Sequence, residues 1–191
     1  MVARAAVAQA RARCGECQDF GGVLNWYGDV LSALDRDTEA RQVYLESLRI
    51  ARAVGPDGYF LASRLRRLAR AARLQGELDQ ADAYLQEALT ILRRSDVLER
   101  EFAAFYNGLG TVALERGDFA GASARFHAAL DVVEHDNPDS IDCANAHHNL
   151  GVTLGLAGDF QAAESELRIG RTIIARHTQG VQLASFIIGL A

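Results

Sequence analysis

Small and large apolar residues recur along this chain every 41 positions, in a single register. Ala40, Ala81, Ala122 and Ala163 stand 41 apart, and four residues after each come Tyr44, Leu85, Phe126 and Leu167. Upstream, Gly28, Ala69, Gly110 and Gly151 keep the spacing, preceded by Tyr27, Leu68, Leu109 and Leu150. Ser47, Ala88, Ala129 and Gly170 form a further small-residue column. Columns that agree in one register mark an internal repeat. Within a period the apolar spacing predicts two helices: Leu61, Leu65, Leu68 and Ala72 follow one helical stripe, and Ala81, Leu85, Ala88 and Leu92 another. Gly76, Gly117 and Gly158 fall between the paired stripes, where a left-handed residue ends a helix, and Asp35 takes that place in the first period. Asp118 and Asp159 follow directly and are expected to cap the next helix. The stretch Leu109 to Ala129 carries all of these features, and its small residues predict close helix contacts.

In the third period Tyr106, Leu109-Gly110, Ala122 and Phe126 resemble the tetratricopeptide pattern of an aromatic, Leu-Gly, then Ala and an aromatic. The fourth period matches with Leu150-Gly151, Gly158, Phe160 and Ala163, with His147 in place of the usual large aromatic. The period is longer than the family's usual repeat of about 34 residues, and the closing proline is absent. Longer helices are implied, as in the extended repeats of kinesin light chains and bacterial signal-transduction ATPase regulators. Ala51-Arg52-Ala53-Val54-Gly55, followed by Ala62, Leu65 and Leu68-Ala69, resembles the helix-to-helix passage of those bacterial regulators.

The resemblance implies an all-α fold, a right-handed superhelical solenoid of antiparallel helix pairs with about four full repeats plus flanking helices. Full repeats are expected over 18–55, 56–95, 96–136 and 137–178. The second helix of a partial repeat is expected over 1–17, and a terminal helix over 179–191. Solenoids normally finish with polar caps, yet this chain ends in Phe186-Ile187-Ile188-Gly189-Leu190. Either the chain is a piece of a longer array or that apolar face closes against another copy.

Composition agrees with such a stack, being 49% hydrophobic and 24% charged, with 2 Pro in 191 residues. The net charge of -5 argues against direct nucleic-acid binding, which rests on positive charge meeting phosphate. Residues 1–95 carry 14 Arg against 12 acids and residues 96–191 carry 6 Arg against 13, so the halves differ in sign. All 20 basic residues are Arg. No apolar run approaches membrane-spanning length and no signal peptide opens the chain, so a cytoplasmic location without membrane contact is expected.

Three cysteines are too few for a disulfide framework. Cys14 and Cys17 have the spacing of a redox pair or half a zinc site, but without further ligands or a βαβ setting they read as a turn holding two thiols. Cys143 and His147 share a helix face and suit either part of a metal site or packing; packing is the stronger reading, because His147 occupies the large-residue column. Arg64, Arg66, Arg67, Arg70 and Arg73 make the densest charged run. The resemblance lines the concave surface with the first helix of each unit and so puts Arg66, Arg70 and Arg73 in a groove. There they either clamp carboxylates or phosphates of an acidic partner or pair with local acids such as Asp29 and Glu77. The same placement makes Asn25, Asp29, Ser32, Asn107, Thr111, Asn145, His148 and Asn149 a polar floor suited to a peptide backbone.

The Lys and Asn set that clamps carboxylates in chaperone-binding relatives is not reproduced, so chaperone binding is not expected. No phosphate-binding loop, dinucleotide fingerprint, nucleophile elbow or zinc-protease motif occurs, and His127 and His135 have no nucleophile beside them. Neither catalysis nor a cofactor is expected. The resulting expectation is a protein- or peptide-binding module, in one form the regulatory arm of a bacterial transcription or signalling regulator. The alternatives are a scaffold that oligomerises through apolar terminal helices and a sensor for a small ligand or signal peptide.

Overall fold

A computed structural model describes the backbone of residues 2–54 and 58–189 and the side chains of residues 3–54 and 58–178. Regular structure among the described residues is entirely helical and forms two compact units, Met1–Val97 and Leu98–Ala191. The first unit contains α1 (Val2–Cys14), α2 (Gln18–Ser32), α3 (Asp37–Val54), α4 (Gly58–Leu74) and α5 (Leu78–Arg93). Each of these helices packs against the next along the chain. The second unit opens with a 3-10 turn, Glu99–Phe102, and continues with α6 (Ala103–Glu115), α7 (Phe119–Asp136), α8 (Ile141–Leu156) and α9 (Phe160–Gly189). Here too consecutive helices pack together.

The small-residue column predicted from the sequence meets the large-residue column 16 positions on, inside each helix pair. A Cβ on Gly28 would lie 2.3 Å from Tyr44 Cε1, and one on Gly110 would lie 2.6 Å from Phe126 Cε1. At Gly151 the obstacle is Leu167 Cγ, at 2.7 Å. The second pair, Ala69 and Leu85, is likewise buried. The side column serves the same end: Ser47 Oγ donates to the Gly21 carbonyl at 2.7 Å, and a Cβ on Gly170 would stand 2.9 Å from the Ala144 carbonyl oxygen. In the three pairs with glycine, the missing side chain thus sets how near the second helix approaches the first.

The turns within the pairs also repeat. Asp35, Gly76, Gly117 and Gly158 all have positive φ, at 56°, 76°, 77° and 93°. Each turn makes the same two closing bonds; Gly117 N–H donates to Leu114 O and Asp118 N–H to Ala113 O, which satisfies carbonyls that the ending helix leaves open. Asp118 then accepts from Gly121 N–H at 2.9 Å, and Asp159 from Ala162 N–H at 3.1 Å, starting the second helices. Gly117 has no atom within 4 Å of where a Cβ would sit, so substitution there tests the backbone alone. Gly117→Ala is expected to cost about 1–2 kcal/mol and to lower Tm by a few degrees in a circular-dichroism melt. An unchanged Tm would show that the left-handed turn is not required.

Two features differ from the sequence reading. Cys14 and Cys17 form a disulfide rather than standing as two thiols, because the turn from α1 into α2 needs only Gly15, at φ 65°, and Glu16, and brings the two Cα atoms to 5.8 Å. Cys17 Sγ also accepts from Phe20 N–H at 3.4 Å, which makes it the cap of α2. Where the sequence reading starts a separate helix at 179, α9 runs on without a break to Gly189. No proline or capping residue interrupts that stretch, and Gly180 alone does not end it. The apolar side chains from Phe186 to Leu190, like Gly55, lie outside the described residues. Among the described residues no helix is long and apolar enough to cross a membrane.

Candidate functional site

The buried stripe of α2 consists of Phe20, Leu24 and Leu31 with Gly21 and Gly28. Helical periodicity then turns Gly22, Asn25, Trp26 and Asp29 to the opposite side. On α4 the stripe Leu61, Leu65 and Leu68 is buried, leaving Phe60, Ser63 and Arg67 beside it. These two sets face one another across a groove of about 670 Å³. Its walls are aromatic and only half covered: Trp26 is 47% exposed, Tyr59 38% and Phe60 47%.

The groove floor is polar and tightly bonded. Arg67 grips Asp29 with Nε at 3.1 Å from Oδ1 and a terminal nitrogen at 3.1 Å from Oδ2, and its other terminal nitrogen donates to Ser63 Oγ at 2.8 Å. Tyr44, reaching in from α3, donates its hydroxyl to Asp29 Oδ1 at 2.8 Å. Burial, followed by this bond to Asp29, holds the Tyr44 phenol well above its ordinary pKa, so it remains a donor at any ordinary pH. Arg64 lies deeper, only 2% exposed, with Nε donating to Ser47 Oγ at 3.0 Å and its guanidinium 6.0 Å from the Phe60 ring centre. A side chain at Gly21 would meet that guanidinium at 2.9 Å. Gly21, Ser47 and Arg64 therefore depend on one another across α2, α3 and α4.

One buried acceptor in the groove has no partner, the Asn25 side-chain oxygen. Asn25, Arg66, Asn107 and His148 occupy one repeat column, each 41 residues from the last. In the second unit the Asn107 side-chain oxygen is buried and unpartnered in the same way. Leaving such a group unpaired costs about 1–3 kcal/mol, and an N–H from a ligand would remove that cost.

The sequence matches the tetratricopeptide repeat family over residues 19–94 and 101–168. The chain belongs to that family. Solved tetratricopeptide-type structures show the same fold. BtubC (BKLC) from P. vanneervenii is 24% identical, with a TM-score of 0.77 over 92% of this chain and 72% of that one. Two structures described as a Podosopora anserina kinesin light chain of nearly identical TPR-like repeats are each 17% identical. Their TM-scores are 0.70 and 0.67, over 91% and 90% of this chain and 84% and 83% of theirs. No curated protein matches the sequence. Tetratricopeptide repeats as a class mediate protein–protein interaction, and two such helix pairs, α2 with α3 and α4 with α5, carry the groove described above.

Of the residues singled out from the sequence, Asn25 and Asp29 line the groove of this tetratricopeptide unit. Ser32 lies a turn further on and donates to Asp37 at 3.0 Å, bridging α2 to the start of α3. Arg66 and Arg73 are half-buried on another side of α4, and Arg70 is exposed. Burial, and then the nearby Arg67 guanidinium, hold Arg66 below the ordinary arginine value. In the second unit Thr111 donates to the Asn107 carbonyl at 2.9 Å, and the Asn149 carbonyl accepts from Thr153 at 2.8 Å. Asn145 and His148 are exposed on α8 and Asn149 is half-buried. Cys143 and His147 are buried, and burial, with Glu134 and Asp139 adding to it, pushes the Cys143 thiol up to about 11.

Sequence reasoning did not select Trp26, Tyr59, Phe60, Arg64 or Arg67 as groove residues. Trp26 carried a usable signal: it is the chain's single tryptophan and stands beside Asn25, outside the buried stripe. Arg64 carried none, since a guanidinium in a core position is accommodated only through Gly21 and Ser47 from two other helices.

Proposed function

We propose that the first unit binds an extended segment of a partner polypeptide, laid in the groove between α2 and α4. The observation that carries this reading is the combination of half-exposed Trp26, Tyr59 and Phe60 with the unpartnered Asn25 oxygen at the floor. Aromatic walls of this kind anchor an apolar side chain at small entropic cost. The Asn25 oxygen accepts a main-chain N–H of the segment, which fixes its register. Asp29 neutralises Arg67 inside the groove, so the anchor itself is apolar. Arg70, exposed one turn further along α4, supplies positive charge for an acidic residue flanking the anchor.

The test is to pan a random peptide library against the whole chain and to repeat the binding with Trp26→Ala. Enriched peptides should share an aliphatic or aromatic anchor next to an acidic residue, and they should compete with one another. Peptides that bind Trp26→Ala as tightly as the unaltered chain would contradict the proposal. So would a library from which nothing binds.

A further inference from the structure

The fourth repeat departs from the other three at two adjacent core positions. The column Phe20, Leu61, Phe102 ends in Cys143, and the column Leu24, Leu65, Tyr106 ends in His147. Three repeats fill these places with large apolar or aromatic side chains; the last fills them with a thiol and an imidazole one helical turn apart on α8. Both are buried, at 1% and 4% exposure. Packing alone does not explain why α7 then turns an acid toward them. Glu134 brings a carboxylate oxygen to 3.4 Å from His147 Nε2. Cys143, His147 and Glu134 each offer one ligand atom, and these atoms all lie within 4.8 Å of one another.

The other side of the imidazole is fixed by a second acid. His147 Nδ1 lies 2.7 Å from Glu166 Oε2 on α9, where the nitrogen donates and the carboxylate accepts. A proton on Nδ1 leaves the Nε2 lone pair on the Glu134 side, free to ligate an ion. Nε2 and the Glu134 oxygen, 3.4 Å apart, would both be drawn to a metal cation placed between them. A carboxylate holding the far nitrogen of a ligating histidine is also the usual outer support of a metal-bound imidazole.

We propose that Cys143, His147 and Glu134 form a binding site for a divalent transition metal, Zn2+ being the ion that best fits the donor set. A thiolate, an imidazole and a carboxylate are its three common protein ligands, at about 2.0–2.3 Å. Tetrahedral coordination at those lengths separates neighbouring ligand atoms by roughly 3.3–3.8 Å. The His147–Glu134 edge already has this length, so only the thiolate corner needs to close in. Charge balances as well, because thiolate and carboxylate together neutralise the ion, as a largely buried position requires. Glu134 is about half exposed, which leaves a path for entry and room for a water as fourth ligand. The bound ion would tie α7 to α8, with α9 holding the histidine in place.

The experiment uses the whole chain carrying Cys14→Ser and Cys17→Ser, so that Cys143 is the only sulfur ligand, titrated with Co2+ as a spectroscopic stand-in and then with Zn2+. One equivalent of Co2+ should produce tetrahedral d–d absorption and a thiolate charge-transfer band, and Zn2+ should displace it and raise Tm. Cys143→Ser should abolish the charge-transfer band. Glu166→Gln, which leaves all three ligands in place, should weaken binding roughly 10- to 100-fold. Should Cys143→Ser fail to fold, Glu134→Gln at its half-exposed position still decides the matter, with an expected loss of more than tenfold in affinity. No thiolate band in the starting protein, or a band and affinity untouched by Glu134→Gln, would overturn the site.

Discussion

Gly110→Val should destabilise the second unit by about 2–3 kcal/mol, and most of that loss should vanish when Phe126 is shortened in the same chain. The first added carbon would sit 2.6 Å from Phe126 Cε1, and the ring is only 1% exposed, so it must shift against packed neighbours. Overfilling a packed contact in this way costs about 1–3 kcal/mol, which outweighs the few tenths of a kcal/mol by which valine is a better helix former than glycine. Phe126→Ala alone should cost about 3–5 kcal/mol through the cavity it leaves. In the double variant the valine partly fills that cavity, so the combined loss should fall short of additivity by roughly 1–3 kcal/mol. For a chain of this length each kcal/mol moves Tm by about 2–4 °C, which calorimetry or circular dichroism resolves easily. Strictly additive losses would mean that Gly110 and Phe126 do not meet, and the account of the helix pairs would fail with them.

The second large effect concerns binding. Trp26→Ala with Phe60→Ala should reduce the affinity for a groove-binding peptide by a hundredfold or more. Each ring that acts as an anchor contributes about 2 kcal/mol or more when truncated, or roughly 30-fold. Both rings are 47% exposed, so the folded chain loses little packing and Tm should stay within a degree or two of the parent. Calorimetric titration of peptides from the library reads the affinity, and a thermal melt of the same samples reads the fold. Retained affinity in the double variant would remove the aromatic walls from the function. A large fall in Tm would instead assign Trp26 and Phe60 to the core.

The sequence legibly carried whatever lies within one repeat. Gly28 with Tyr44, Gly110 with Phe126 and Gly151 with Leu167 are contacts over 16 residues, and the same pairing of small with large is written several times in one register. The left-handed turns at Gly76, Gly117 and Gly158 were legible for the same reason, since each needs only its own residue and a few neighbours. The phase of α4 was not legible. Arg66, Arg70 and Arg73 look like the charged face when the helix is drawn alone, yet Arg67 is the arginine that bonds Asp29 of α2, and Arg64 lies against Gly21 of α2 and bonds Ser47 of α3. That phase is set by Gly21, Ser47 and Asp29, which belong to other helices and are invisible to a periodicity count. The Cys14–Cys17 bond was illegible in a similar way, because it depends on how tightly α1 turns into α2. Asn25 and Asp29 line the groove on the side of α2 that the family resemblance assigns to the first helices.

Trp26 gives the most direct test of the central claim that this chain grips a polypeptide in the groove of its first unit. It is the only tryptophan in the chain, and it stands on the groove wall, so its emission reports that surface alone. Titration with a library-selected peptide lacking tryptophan should shift the emission to shorter wavelength, with the midpoint at the calorimetric Kd and saturation at one peptide per chain. Binding seen by calorimetry with the Trp26 emission unchanged would place the ligand elsewhere and contradict the account.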